Sequence, residues 1–511
     1  MIKTLHALNK RVLLVILDGF GINPKDNKNA ILHAKKPNLD FLFKHYPTTK
    51  IEAGGVLVGL PTGVAGNSEV GHMNLGAGKS VRQDLVRINE AIEQNSLKDM
   101  PELNKIISYA KAHSNRIHLM GLLSDGGVHS HINHLKELIK ILSGHGIELC
   151  LHAFMDGRDT SRDAGIKYVK DIANLTDIKF ASMQGRSIGM DRDRRWNKIK
   201  ECYETIIGLA ETTKLSPVDY LQIEYKEGRY DEFITPVLFD KELAIKSEDA
   251  LLFFNYRPDR AIEITLALTD PKFHEFKIST RPGYFLCMTP YVQDYIELPI
   301  LFDKEKLRGT LSEYLSDKGI KQFKIAETEK YAHVTYFFNG GEKTPFNNEV
   351  QVLIPSNREI ATYDLKPEMS AFLILEKLLD ALEDRDINFF VVNFANSDMV
   401  GHTGNYEAAV SAIEVLDDCV GQLMKKCEKL NLTMLITADH GNSDQMVYEN
   451  GDVHTSHTEA PVPFAVFDSR LKDESLELNE GSHALKDVAP TVLNIMGLPL
   501  APNFEGISIF K

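Results

Sequence analysis

Ser68 stands in a stretch, residues 63–78, that glycines punctuate at 63, 66, 71, 76 and 78. That density argues against a regular strand or a long helix, so the stretch reads as a tight loop presenting a hydroxyl to a substrate. A serine hydroxyl is a weak nucleophile unless a base or a metal activates it. Residues of metal-ligand type gather in the last third of the chain. Asp398 and His402 are four apart behind an apolar run, Asp439-His440 closes the next run, and the loop 451–458 carries Asp452, His454 and His457. Carboxylate with neutral imidazole suits Mn²⁺ or Zn²⁺. Together with Asp18, which ends the first apolar run, they read as two metal sites in one cavity. Such a pair can activate a serine and neutralise a phosphoryl group.

Cations form a second set. Arg158, Arg186, Arg192, Arg257 and Arg260 each follow an apolar run in the middle of the chain. Guanidinium forks bind carboxylate and phosphate bidentately, so five on one rim imply a small polyanionic substrate. His129, in the loop 124–130, could donate to a phosphate or relay a proton.

Positioning these groups requires strands that end where they begin. Apolar, β-branched runs predict strands at 11–17, 116–123, 147–154, 178–183, 250–254, 284–288, 389–394, 433–437 and 462–467. Helical patterns fall at 80–94, 96–112, 131–142, 164–174, 196–212, 260–268, 370–383, 406–430 and 488–496. In 370–383 the apolar face is expected to carry Phe372, Leu375, Leu378, Leu379 and Leu382. The alternation predicts an α/β protein with mostly parallel sheets. One α/β domain, 83–306, is expected as an insertion in another made of 1–82 and 307–511, with short links around 79–82 and 301–306.

With 511 residues, 43% hydrophobic and 25% charged, the composition is that of a globular protein of several domains. No apolar run reaches about 18 residues and the N-terminus lacks a signal-peptide pattern, so a cytoplasmic protein without membrane contact is expected. The five cysteines are scattered and form no CxxC pair, which argues for buried thiols. A net charge of −14 argues against nucleic-acid binding and requires a local cationic pocket for an anionic substrate.

Seven motifs, in order, resemble those of one family. They are Leu17-Asp18-Gly19, Gly66-Asn67-Ser68-Glu69-Val70-Gly71-His72, Ser124-Asp125-Gly126-Gly127-Val128-His129, Asp156-Gly157-Arg158-Asp159-Thr160, Arg257-Pro258-Asp259-Arg260, Glu329-Lys330-Tyr331-Ala332-His333-Val334-Thr335 and Ala438-Asp439-His440-Gly441-Asn442. Over nearly its whole length the chain resembles the cofactor-independent (2,3-bisphosphoglycerate-independent) phosphoglycerate mutases, which are alkaline-phosphatase-like metalloenzymes. One departure is Ser187-Ile188, where many members have two tyrosines; Arg186 and Arg192 keep their spacing.

The resemblance implies two Mn²⁺ ions or other divalent metals, no 2,3-bisphosphoglycerate, a phosphoserine intermediate and a monomer acting on 2- and 3-phosphoglycerate. It implies one metal on Asp398, His402 and His457, and the other on Asp18, Ser68, Asp439 and His440. His129, Arg158, Asp159, Arg186, Arg192, Arg257, Arg260 and Lys330 would surround the substrate, with Ser68, Asp159 and Lys330 catalytic. Ser68 would take the phosphoryl group while Lys330 offsets its charge and Asp159 protonates the departing oxygen. Arg257 and Arg260 would keep the glycerate until its other hydroxyl takes the phosphoryl group back. Closure of the two domains about their links is expected to exclude water. A metal-dependent phosphatase or phosphodiesterase, a phosphopentomutase of the same superfamily and a non-catalytic sensor remain alternatives. Three imidazole ligands must be neutral to bind metal, so affinity is expected to fall as pH drops toward about 6.5.

Overall fold

Val12–Leu17, six fully buried aliphatic residues, is the central strand of a seven-stranded sheet in the computed structural model. Residues 4–26, 28–175, 177–292, 296–304 and 307–511 are described. The chain divides into two compact units, 1–83 with 306–511, and 84–305. Of the expected link at 301–306, residues 305 and 306 lie outside the described residues.

In the first unit the strand order is Glu349–Ile354, Lys321–Glu327, Ile387–Phe394, Val12–Leu17, Thr433–Thr437, Val462–Phe467, Thr48–Ile51. The first five run parallel; the sixth is antiparallel to both its neighbours. Buried strands of a parallel sheet need apolar side chains on both faces, which is why Val12–Leu17 and Thr433–Thr437 are buried at every position. Four adjacent parallel strands end at one edge, and the segments leaving them carry Lys330, Asp398, Asp18 and Asp439. Open α/β sheets place their ligands at such carboxyl ends.

The second unit repeats the device. Its order is Val237–Leu238, Lys179–Gly185, Glu148–Met155, Arg116–Leu123, Ala250–Phe253, Tyr284–Cys287, parallel except at the two-residue strand. His129, Asp159, Arg186 and Arg257 follow the ends of four consecutive strands.

Three expectations need correction. The stretch around Ser68 is not a loop throughout, because Ser68–Ala77 is a ten-residue helix. Its glycines serve close packing: a Cβ on Gly71 would lie 2.7 Å from the Asp439 carbonyl oxygen, and one on Gly76 would strike the Phe338 carbonyl. Phe372 is 44% exposed; Ala371 and Ile374 take the buried face with Leu375, Leu378 and Leu382. The helix from Trp196 ends at Ile206, where Gly208 (φ +82) turns the chain.

Candidate active site

The hydroxyl of Ser68 is presented by the first residue of its helix. Asn67 caps that helix by accepting from Val70 N at 3.0 Å. At this position the helix dipole favours negative charge, which helps a serine oxygen become anionic. Lys330 reaches it from the helix Thr328–Ala332, which passes directly into a π-helical turn, His333–Phe337. The end of that turn packs on Gly76 of the serine's helix.

Lys330 Nζ uses all three of its donors. It lies 2.7 Å from Asp18 Oδ1, 2.8 Å from Ser68 Oγ and 2.6 Å from Asp398 Oδ2. Burial alone would lower its pKa, but Asp18, Asp398 and Asp439 outweigh that and keep the ammonium charged. Burial would raise Asp398, yet the Lys330 ammonium holds it well below the usual carboxylate range. Burial and then the Asp439 charge push Asp18 up to about 7.

Three imidazoles are oriented alike. Nδ1 of His402 donates to the Thr455 carbonyl at 2.7 Å, that of His457 to the Gly66 carbonyl at 2.9 Å, and that of His440 to the Gly441 carbonyl at 3.2 Å. Each bond fixes the tautomer and leaves Nε2 with a free lone pair. Nε2 of His402 and Nε2 of His457 face each other at 3.1 Å, and lie 3.2 and 3.3 Å from Asp398 Oδ1. Two lone pairs and a carboxylate oxygen at this spacing repel unless a cation lies among them. His440 Nε2 is 2.9 Å from Ser68 Oγ, 3.5 Å from Asp18 Oδ1 and 3.6 Å from Asp439 Oδ2, and its ring stacks on His457 at 3.9 Å. Burial lowers its pKa to about 4, so it is neutral near pH 7. Asp439 Oδ2 is buried and accepts no hydrogen bond. Facing lone pairs, an orphaned carboxylate oxygen and a mixed nitrogen–oxygen donor set fit divalent metal ions. A cavity of about 470 Å³, lined in part by Gly63, Ala65 and Glu459, adjoins His457.

Sequence reasoning missed the groups that orient these ligands. His72 Nδ1 donates to the Ser68 carbonyl at 2.8 Å and lies 3.2 Å from Asp439 Oδ2. The Asn393 amide donates to Asp18 Oδ2 at 2.7 Å and to His72 Nε2 at 3.0 Å. Asn442 donates to Asp398 Oδ1 at 2.8 Å. The signal for Asn393 was an amide near the carboxyl end of an apolar strand, INFFVVNF, whose other amide, Asn388, is only partly buried; a buried polar group there needs a partner.

In the second unit Asp156, buried at the end of its strand, organises the loop after it. Its Oδ1 accepts from Arg158 N at 3.2 Å, Asp159 N at 3.0 Å and Arg186 Nη1 at 2.6 Å, and its Oδ2 from Ser124 Oγ at 2.6 Å. The same Arg186 nitrogen reaches Asp159 Oδ2 at 2.5 Å. His129 lies 4.0 Å from Asp159 and 3.5 Å from Asp259; burial and then Arg186 lower its pKa to about 4. Arg192 and Arg257 both pair with Asp259, at 2.9 and 3.2 Å. Arg260 donates to the Met190 carbonyl at 3.1 Å. Arg158 is half-exposed, 3.6 Å from Glu232. Lys330 lies with the metal-type ligands Asp18 and Asp398 of the first unit. At the departure Ser187-Ile188, Ile188 packs on the core and the Ser187 carbonyl accepts from Lys198.

Comparison with known proteins narrows the reading. Residues 10–500 match the Metalloenzyme superfamily. A curated 2,3-bisphosphoglycerate-independent phosphoglycerate mutase from Parabacteroides distasonis is 44% identical, covering 99% of this chain and 100% of the relative. The chain belongs to that family. A member from Clostridioides difficile is 45% identical over 99% of this chain and 100% of its own. Among solved structures, Leishmania mexicana phosphoglycerate mutase at low cobalt concentration superposes with a TM-score of 0.70, at 30% identity and 100% coverage of both chains. No described helix is long and apolar enough to cross a membrane.

Proposed function

We propose that the chain is an isomerase that interconverts 3-phosphoglycerate and 2-phosphoglycerate without 2,3-bisphosphoglycerate, through a phosphoserine at Ser68. The observation that carries this is Lys330, whose ammonium touches Ser68 Oγ and both Asp18 and Asp398. A nucleophile, a fixed cation and two sets of metal-type ligands within hydrogen-bond reach suit phosphoryl transfer, where positioning and charge stabilisation supply most of the catalysis.

Asp398, His402 and His457 would hold one metal, and Asp18, Ser68, Asp439 and His440 the other; both are assigned as Mn²⁺. Bound there, the metals supply Lewis acidity that lowers the serine pKa and neutralises phosphoryl charge. Ser68 reacts as its alkoxide, Oγ forming a bond to phosphorus as the bond from phosphorus to the glycerate 3-oxygen breaks. Lys330 offsets the charge growing on the phosphoryl oxygens. Asp159 gives a proton to the departing oxygen, and Arg186 keeps its carboxylate aimed. Arg257 and Arg260 hold the glycerate carboxylate while the molecule turns, with His129, Arg158 and Arg192 around it. The 2-hydroxyl then attacks the phosphoserine, returns its proton to Asp159 and frees Ser68. We assign the metal-ligand chemistry to 1–82 and 307–511 and the holding of the glycerate to 83–306. A monomer working in the cytoplasm completes the reading.

The test is interconversion of the two phosphoglycerates by the Mn²⁺-loaded chain with no bisphosphoglycerate added, alongside inorganic phosphate release. Interconversion with little release is the expected result. Release without interconversion would make the chain a phosphatase.

A further inference from the structure

The five candidate substrate arginines of the second unit (Arg158, Arg186, Arg192, Arg257 and Arg260) are not neutralised alike. Arg186 is buried and shares one nitrogen between Asp156 and Asp159, and Asp156 is itself held by two backbone amides and a hydroxyl. That arrangement is fixed. Arg192 and Arg257 share a single carboxylate, Asp259. Their side chains are 47% and 50% exposed. Oδ1 of Asp259 lies 3.2 Å from Arg257 Nε and 3.5 Å from His129 Nδ1, yet accepts a hydrogen bond from neither. Ion pairs this exposed are weak, so one carboxylate there exchanges readily for another. Arg260, next in sequence, has no carboxylate within 4.0 Å among the described residues.

We propose that Asp259 is the resting counter-ion of the carboxylate subsite, occupying Arg192 and Arg257 until the carboxylate of the incoming phosphoglycerate displaces it. This rests on the reading above that these arginines hold that carboxylate. A tethered carboxylate competes at an effective concentration on the order of millimolar or more. Small anions in solution therefore lose to it, whereas a ligand that also reaches the unpaired Arg260 gains a contact Asp259 does not make. The same competition loosens product. Asp259 is then a specificity-determining residue that acts by opposing binding.

The Mn²⁺-loaded full chain can be titrated calorimetrically with D-glycerate, which bears the carboxylate without the phosphate, and its KM for 3-phosphoglycerate measured in parallel. Asp259→Asn and Asp259→Ala should each tighten glycerate by about tenfold, as removing one unit charge a few ångströms from an anion requires. KM should fall with kcat unchanged or lower, since the added binding is uniform or slows release. Asp193→Asn, which removes an exposed charge next to Arg192 that pairs with Arg195, should change neither. Weaker or unchanged glycerate binding in both Asp259 variants would overturn the proposal and make Asp259 a scaffold for its arginines. Equal tightening by Asp193→Asn would overturn it in favour of a general field effect, and so would a failure of both Asp259 variants to take glycerate. Wild-type protein that binds glycerate but fails to interconvert phosphoglycerates sinks the assigned reaction, and the titration still decides the role of Asp259.

Discussion

The two units put their charged groups at the same place, the carboxyl edge of parallel strands, but hold them differently. In the first, Asp18, Ser68, Lys330, Asp398, Asp439 and His440 are almost wholly buried, and the imidazoles are tied to main-chain carbonyls. In the second, Asp156 and Arg186 are fixed in this way, while Arg158, Arg192 and Arg257 are about half-exposed. A buried charged centre has little freedom to adjust and must be built to fit. A half-exposed cup of guanidiniums can release what it holds. The proposed transfer of a phosphoryl group and turning of a glycerate would call for this division.

The comparison can be broken first at Ser68. Ser68→Ala should lower interconversion by more than about 10⁴-fold, because in the proposed reaction no other group forms the covalent bond. A variant keeping full rate would rule out covalent catalysis. Lys330→Met comes next. It leaves Asp18 and Asp398 buried without their shared cation, so the metal-free protein should lose about 3–5 kcal/mol in urea unfolding; an unchanged midpoint would show that these carboxylates are not held as described. Asp159→Asn should behave oppositely. It should lower kcat by about 10²–10³-fold with little change in unfolding, since Asp156 still holds Arg186.

The smallest effect sharpens the picture of the second unit. Burial lowers the pKa of His129 to about 4 and that of His134 to about 3. Unfolded chains take up these protons near pH 6.5, whereas the folded chain does not until near pH 4 or below. Stability is therefore full above about 6.5 and falls as pH drops toward 4, by roughly 2 kcal/mol per imidazole at pH 5. The urea midpoint of the metal-free protein should drop between pH 7 and 5, and His134→Gln should reduce that drop. A midpoint flat across the range in wild-type protein would contradict the burial argument.

What the sequence made legible follows the same physics. Strands with apolar residues on both faces, such as 12–17 and 433–437, were readable because burial leaves no other composition. Lys321–Glu327 was not, because its central Lys324 is buried against Glu349 and Ser312 and looks like a surface residue in one dimension. Thr48–Ile51 is short and polar, an edge strand whose pattern carries little signal. The helix at Ser68 was hidden because its glycines answer to contacts with Asp439 and Phe338, distant in sequence, rather than to local turns. Among the site groups, those with charge and loop context could be picked out, whereas Lys330, within a short helix, was reached only through the motif resemblance. His72 and Asn393 could not, because they work through other residues and their types are ordinary in a core.

The carbonyl tethers on the three histidines have an evolutionary corollary. A main-chain oxygen survives almost any replacement of the residue that bears it, so position 455 can drift in side chain while the ring of His402 stays aimed. Position 66 enjoys no such freedom, since any side chain there would run into the Ala53 carbonyl. Lineages should therefore diverge at the first anchor and stand still at the second, although both perform the same task.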